Sequence, residues 1–207
     1  MYLFHSDESF RSTYTRANVI LADGRPILAM LNRQRRRQGQ GRLSSTHRVG
    51  STDWVMQAME LGEVRKVCVL GGRAQSNAAM AARGRAAAPG TEILSIPADP
   101  WSDDDFDKVC EQLRDFAPDL LLIGMGMPLQ ERVSDELAGQ LRIPVVALVG
   151  GAIDQLSGVQ RNAPRWLGRL GGEWLWRLAT QPRRLAYRYL VEPFALAKLL
   201  RDKRGAA

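Results

Sequence analysis

The segment VCVLGGRAQSNAAMAARGRAA, Val67–Ala87, reads as a strand, a glycine turn and a helix in direct succession. Val67–Leu70 is a short apolar run, Gly71 and Gly72 close it, and Gln75–Ala87 has the pattern of a helix. The same unit recurs on both sides. Further candidate strands are Asn18–Leu21, Ile93–Ile96, Leu120–Ile123 and Val145–Val149. Further candidate helices are Pro26–Gln38, Thr52–Leu61, Asp103–Phe116 and Glu131–Leu141. Such alternation predicts an α/β fold with a largely parallel sheet and right-handed crossovers. Ligands of such sheets collect at the carboxyl ends of the strands. There the sequence places Asp23, Gly71–Gly72, the stretch Gly124–Gln130 and Gly150–Gly151. No internal repeat is evident.

Composition sets outer bounds. A chain of 207 residues, 45% hydrophobic and 25% charged, suits one globular domain with a sizeable core. No apolar run reaches the roughly 18 residues of a membrane span, and no signal-peptide core stands at the front. Cys68 and Cys110 lie in a strand-like and a helix-like run and read as buried thiols. His5 and His47 are far apart, which argues against a histidine-rich metal site. Asp103–Asp105 imitates an acidic metal-binding motif, but Ser102 before it and the helix after it read as an N-terminus. Gln34–Gly41, QRRRQGQG, reads as a helix end fraying into a mobile loop.

The net charge of +7 is concentrated at the end of the chain. From Arg161 onward there are eleven Lys or Arg against three acids, a net +8. Arg161, Arg165 and Arg169 recur every four residues, and Trp166, Leu170, Trp174 and Leu178 follow the same spacing. An amphipathic core helix with a solvated basic side would show this pattern, and so would a helix that holds an anion. From Leu185 onward apolar and basic residues alternate, as in an interfacial helix, with Pro193 as a kink; a sheet-packing helix is the alternative. A nucleic-acid module is disfavoured, because no interleaved aromatic platform or recognition helix accompanies the arginines.

The stretch Val149–Leu190 resembles the signature of the WecG/TagA/CpsF glycosyltransferases, glycosyltransferase family 26. In register are Gly150, Asp154, Gly158, Arg161, Ala163, Pro164, Trp166, Gly171, Glu173, Trp174, Arg177, Leu178, Pro182, Arg184, Leu185, Arg188 and Tyr189. LADGRPI (Leu21–Ile27), VCVLGG (Val67–Gly72) and IGMGMPLQERV (Ile123–Val133) resemble further motifs of the family, in the family order. The resemblance implies a single Rossmann-like domain over residues 1–160 and a basic amphipathic helical appendage over 161–207, serving as active-site lid and membrane contact. It implies a hexosyltransferase moving an N-acetylmannosamine-type or related sugar from a UDP-sugar to a polyprenyl-diphosphate-linked acceptor, in bacterial cell-surface polysaccharide synthesis. The reaction would be inverting and metal-independent, with no cofactor, at the cytoplasmic face of the membrane. The partners the resemblance implies are the donor and the lipid-linked acceptor; the composition of the basic tail adds an anionic membrane surface, its hydrophobicity would favour self-association into a homo-oligomer, and no nucleic acid is expected.

An inverting transfer needs a base for the attacking hydroxyl and cationic groups for the departing diphosphate. The aspartate of the ADG motif takes the first role in the family, which assigns it to Asp23; as a residue alone, Asp23 would cap the helix at Pro26. Donor and acceptor contacts are expected from Arg48, Gly71, Gly72, Gly126, Gln130, Glu131 and Gly150. Arg177, Arg184 and Arg188 offer guanidinium groups to diphosphate. Asp154 suits either substrate contact or orientation of its loop. Two departures stand out. HRVGSTD carries His47 where the family has glutamate. Only 22 residues precede Asp23, where the family usually has several tens of residues, including a Thr-x-Asn strand. Hence the alternative expectation, a shortened homologue that binds nucleotide or membrane without turnover.

Overall fold

A computed structural model describes residues 2–159 together with Trp176, Leu178, Ala179, Val191, Phe194, Ala195 and Arg201. The chain divides into two compact units, Ala17–Gln160 and Met1–Arg16 with Arg161–Ala207. The larger unit is built on four parallel strands, β1 (Lys66–Gly71), β2 (Glu92–Ile96), β3 (Leu120–Gly124) and β4 (Val145–Leu148), in the order β2-β1-β3-β4. The direction of winding reverses between β1 and β3, where the crevice of an open α/β sheet forms. The register sets Gly71 opposite Gly124 at the carboxyl end of that seam.

The two inner strands are buried on both faces, which is why Val67–Gly71 and Leu120–Gly124 are almost purely apolar. Alternate side chains serve opposite layers. Val67, Val69 and Leu122 pack with Val55 and Met59 of α4 (Ser51–Met59), Met80 and Ala81 of α5 (Ala74–Ala87) and Ile153 of α8 (Ala152–Leu156). Cys68, Leu70, Leu121 and Ile123 pack with Val109, Cys110 and Leu113 of α6 (Phe106–Phe116) and with Val133 and Leu137 of α7 (Leu129–Gln140). Each large apolar side chain so removed from water contributes about 1.5–3 kcal/mol. The result is a three-layer α/β/α sandwich.

One expectation is corrected. Asn18–Leu21 is not a strand: it pairs with no neighbour, and Val19, Ile20 and Leu21 are 73%, 62% and 46% exposed. Apolar residues stabilise a strand only where a ladder and a covering layer exist, and this sheet begins at β1. Just after the segment, Val49 N–H donates to the Ala22 carbonyl at 3.1 Å. The helix α3 (Arg25–Arg37) ends inside the arginine tract, as expected, and a loop follows in which Arg35 Nε donates to the Gly41 carbonyl at 2.7 Å and the Asn32 amide bonds both backbone groups of Leu43.

In the smaller unit, α1 (Tyr2–Ser6) and α2 (Glu8–Arg16) flank Asp7, whose carboxylate accepts from Phe10 N–H. Phe10 is buried and stacks on Tyr14, with ring centroids 4.7 Å apart.

Candidate active site

The first group of expected site residues gathers around the N-terminus of α4. Asp23 lies in a tight turn, its N–H bonded to the Leu21 carbonyl at 3.1 Å. Gly24 follows with φ +87° and caps α3, so the aspartate side chain does not serve as that cap. The sequence Arg48–Val49–Gly50 runs alongside, joined through the bond from Val49 to Ala22. Gly50 is buried, and a Cβ there would stand 3.0 Å from Asp23 Oδ1 and 3.4 Å from Asp53 Oδ2. Asp53 in turn accepts the Gly50 N–H at 2.8 Å. Asp23 and Arg48 are both exposed, so a cation-bearing turn and an open carboxylate lie on neighbouring chain segments.

The second group lies at the carboxyl ends of β1 and β3. Gly71 has φ +118°, and a Cβ on it would come within 2.5 Å of the Gly124 carbonyl oxygen. Gly72 donates its N–H to that same carbonyl at 3.1 Å, and its own carbonyl accepts from Ala98. Absence of side chains here lets the turn lie flat between β3 and α8: a Cβ on Gly72 would stand 3.0 Å from Ile153 Cγ2 and 3.6 Å from Asp154 Oδ1. Gly126, at φ +79°, accepts from Gln130 N–H and turns the chain into α7.

Gln130 and Glu131 are both buried. Gln130 Oε1 accepts the Gly150 N–H at 3.0 Å, while its Nε2 donates to Glu131 Oε1 at 2.9 Å. Thus the structure brings Gly71, Gly72, Gly126, Gln130, Glu131, Gly150 and Asp154 to one end of the sheet. Gln130 shapes the Gly150 turn through its amide oxygen, and its amide nitrogen is held by Glu131. Arg177, Arg184 and Arg188 lie outside the described residues.

Asn77 escaped the sequence reading. Asn77 is fully buried on α5, and its Nδ2 donates to the carbonyls of Val69, Gly71 and Ile96 at 2.8, 2.6 and 3.0 Å. Its Oδ1 accepts from Ser95. Asn77 therefore ties the ends of β1 and β2 beside the glycine turn. The signal was there: positions 77, 80, 81 and 84 form one buried helical stripe, and only the first is polar. Gly50 and Asp53 were likewise not singled out.

The acidic triplet is occupied elsewhere. Ser102 Oγ accepts from Asp104 N–H at 3.3 Å, capping the turn Asp103–Asp105. Asp103 Oδ1 accepts from Trp101 Nε1 and Arg132 Nη2, both at 2.8 Å, and these donors hold its carboxyl below the usual range. Among the described residues no helix is long and apolar enough to cross a membrane.

Known proteins resemble this arrangement in sequence. A relative from Bacillus subtilis (strain 168), an N-acetylglucosaminyldiphosphoundecaprenol N-acetyl-beta-D-mannosaminyltransferase, is 30% identical over 95 residues, 46% of this chain and 37% of its own length. A protein of the same name from Staphylococcus aureus (strain NCTC 8325 / PS 47) is 23% identical over 199 residues, 95% of this chain and 74% of its own. The chain thus spans about a third of the first relative and about three quarters of the second. The pattern of the glycosyl transferase family WecG/TagA/CpsF runs along residues 1–207, from the Asp23 turn through the glycine seam to the basic end, and the chain belongs to that family.

Proposed function

We propose that this chain transfers an N-acetylmannosamine-type sugar, or a related hexose or uronic acid, from a UDP-sugar to a polyprenyl-diphosphate-linked acceptor. The two mannosaminyltransferase relatives support the acceptor class. The observation that carries the reading is the Asp23 carboxylate, open to solvent and seated against Gly50 with Arg48 two residues away along the chain.

In this reading Asp23 accepts the proton of the acceptor hydroxyl as its oxygen attacks the anomeric carbon. The bond from that carbon to the diphosphate breaks on the opposite side, and UDP leaves with the electron pair, which inverts the anomeric centre. Gly71, Gly72, Gly126 and Gly150 let the backbone approach the donor, and Gln130 with Glu131 fixes the Gly150 turn. Asp154, beside Gly72, orients that turn or meets the donor. Arg48, Arg177, Arg184 and Arg188 neutralise the departing diphosphate in place of a metal. The domain division that goes with this is a catalytic core over 1–160 and a basic appendage over 161–207. That appendage would close over the acceptor and meet an anionic membrane at its cytoplasmic face.

A transfer assay tests this, with a panel of UDP-sugars, a short-chain polyprenyl-diphosphate-sugar acceptor and EDTA. Asp23→Asn should lower kcat by about 10²–10⁴-fold, the usual worth of a positioned base. EDTA should leave the wild-type rate unchanged. Product formed at the wild-type rate by Asp23→Asn would remove Asp23 from the role, and no product from any donor would favour a binding-only homologue.

A further inference from the structure

We infer that Asp53 is a positioning residue, which holds the Asp23 carboxylate in place over Gly50. Gly50 is the N-cap of α4, and as glycine it has no side chain to cap the helix with. Serine, threonine, asparagine or aspartate is the usual choice there, because a side-chain oxygen can accept an N–H of the first turn. Ser51 and Thr52 stand one and two places too late for that. Room explains the glycine: a Cβ at position 50 would stand 3.0 Å from Asp23 Oδ1. What remains of the cap is its reverse half, in which Asp53 Oδ2 accepts the Gly50 N–H at 2.8 Å.

The same oxygen lies 3.4 Å from the point where that Cβ would be, so two carboxylates meet over one glycine. They divide the work. Asp53 is engaged, bonded to the Gly50 N–H in the first turn of α4, where the helix dipole favours an anion. Asp23 is open to solvent. A second bond fixes the glycine from its other side, since Val49 N–H donates to the carbonyl of Ala22, the residue before Asp23. The peptide between Val49 and Gly50 is thus tied at both ends, to the Asp23 turn and to Asp53. Without the Asp53 oxygen that peptide is free to tilt, and the floor under the Asp23 carboxylate moves with it. A helix cap alone would use the same bond, but it would leave the rate untouched wherever the protein is folded. The role of Asp23 as base rests on the proposed transfer; its being held by Asp53 does not.

The test compares Asp53→Ala, which removes the acceptor, with Asp53→Asn, which removes the same charge but keeps an oxygen for the Gly50 N–H. In transfer assays well below the melting temperature, Asp53→Ala should lower kcat by about tenfold or more with the donor KM little changed, since an error near 1 Å can cost about 10²-fold. Asp53→Asn should restore most of that rate. Combined with Gly50→Ala, Asp53→Ala should add less than its separate effect, because both changes move one carboxylate. A readout independent of turnover is the NMR resonance of the Asp23 carboxyl carbon, assigned by its loss in Asp23→Asn. It should move in Asp53→Ala and stay near its wild-type position in Asp53→Asn. Wild-type kcat in Asp53→Ala beside a crippled Asp23→Asn would overturn the inference and leave the base standing. Equal losses in the two Asp53 variants, or an unmoved resonance in Asp53→Ala, would overturn it as well. Full activity of Asp23→Asn, or no transfer from any donor, would count against the proposed transfer instead, and the resonance alone would then decide whether Asp53 holds Asp23.

Discussion

The carboxylate of Asp23 rests against Gly50, its Oδ1 3.0 Å from the point where any other residue would carry a Cβ. The backbone at Gly50 is ordinary, with φ −91°, so what this position requires is room rather than an unusual conformation. In Gly50→Ala the neighbour that must yield is the end of a two-torsion side chain, which moves easily. Stability should fall by less than about 1 kcal/mol, within the usual range of a small substitution. With Asp23 in the proposed role of base, its displacement is another matter, since an error near 1 Å can cost about 10²-fold in rate. We expect Gly50→Ala to lower kcat by at least about tenfold with little change in KM for the donor. Thermal melting beside steady-state kinetics checks both halves.

Asn77 makes the opposite prediction, a stability effect first. Its amide serves three backbone carbonyls in a buried layer, and Asn77→Ala removes the donor but leaves the acceptors. A buried polar group left without its partner costs about 1–3 kcal/mol. Some of the three keep their ladder bonds, so a total near 3 kcal/mol is expected. Asn77→Asp should be worse at neutral pH, because a carboxylate would face those carbonyl oxygens. Urea unfolding at pH 7 measures both, and equal stability of wild type and Asn77→Ala would show that the bridge contributes nothing.

The layered sheet was legible because its signals are local. A parallel strand buried on both faces must be an apolar run, and a glycine where two strand ends meet marks itself, as at Gly71 and Gly124. Asn18–Leu21 misled for the same reason: it has the composition of such a strand, but pairing is decided by partners that sequence composition does not show. Site geometry was legible only in part. Family motifs pointed to Asp23, yet nothing local reveals that Gly50, 27 positions on, must stay small to admit its carboxylate. Gln130 was readable as a polar residue at the turn after β3. That its amide is spent on Gly150 and Glu131 depends on a contact across 20 residues.

The amino edge of the sheet should respond to acid. Asp119 accepts the N–H groups of Arg65 and Lys66, both at 2.9 Å, and these bonds hold its carboxyl below its ordinary value. A carboxyl whose folded pKa is lowered adds stability that is complete above its unfolded value, near 3.9. That contribution is lost as the pH falls through the folded value. Wild type should therefore lose unfolding free energy as the pH falls below about 4, and Asp119→Asn should lose less over the same range. Parallel slopes for the two proteins in urea titrations across that window would place the acid sensitivity elsewhere.

The acidic triplet yields the sharpest separation between two chemistries. If Asp103–Asp105 held a divalent ion for the donor diphosphate, neutralising Asp103 would cripple transfer. The structure gives Asp103 another task, accepting from Trp101 and Arg132 at the start of α6. Both partners of the Asp103–Arg132 pair are substantially exposed, with side chains 69% and 47% accessible, so water screens the pair and its loss should cost little stability. Asp103→Asn should accordingly lower the melting temperature by only a few degrees and leave kcat within about twofold of wild type. Arg132→Gln should do the same, because either change breaks one surface bridge and leaves the Ser102 cap in place. A rate loss of 10²-fold or more in Asp103→Asn, relieved by added magnesium or manganese, would return the triplet to the active site and defeat the metal-free reading.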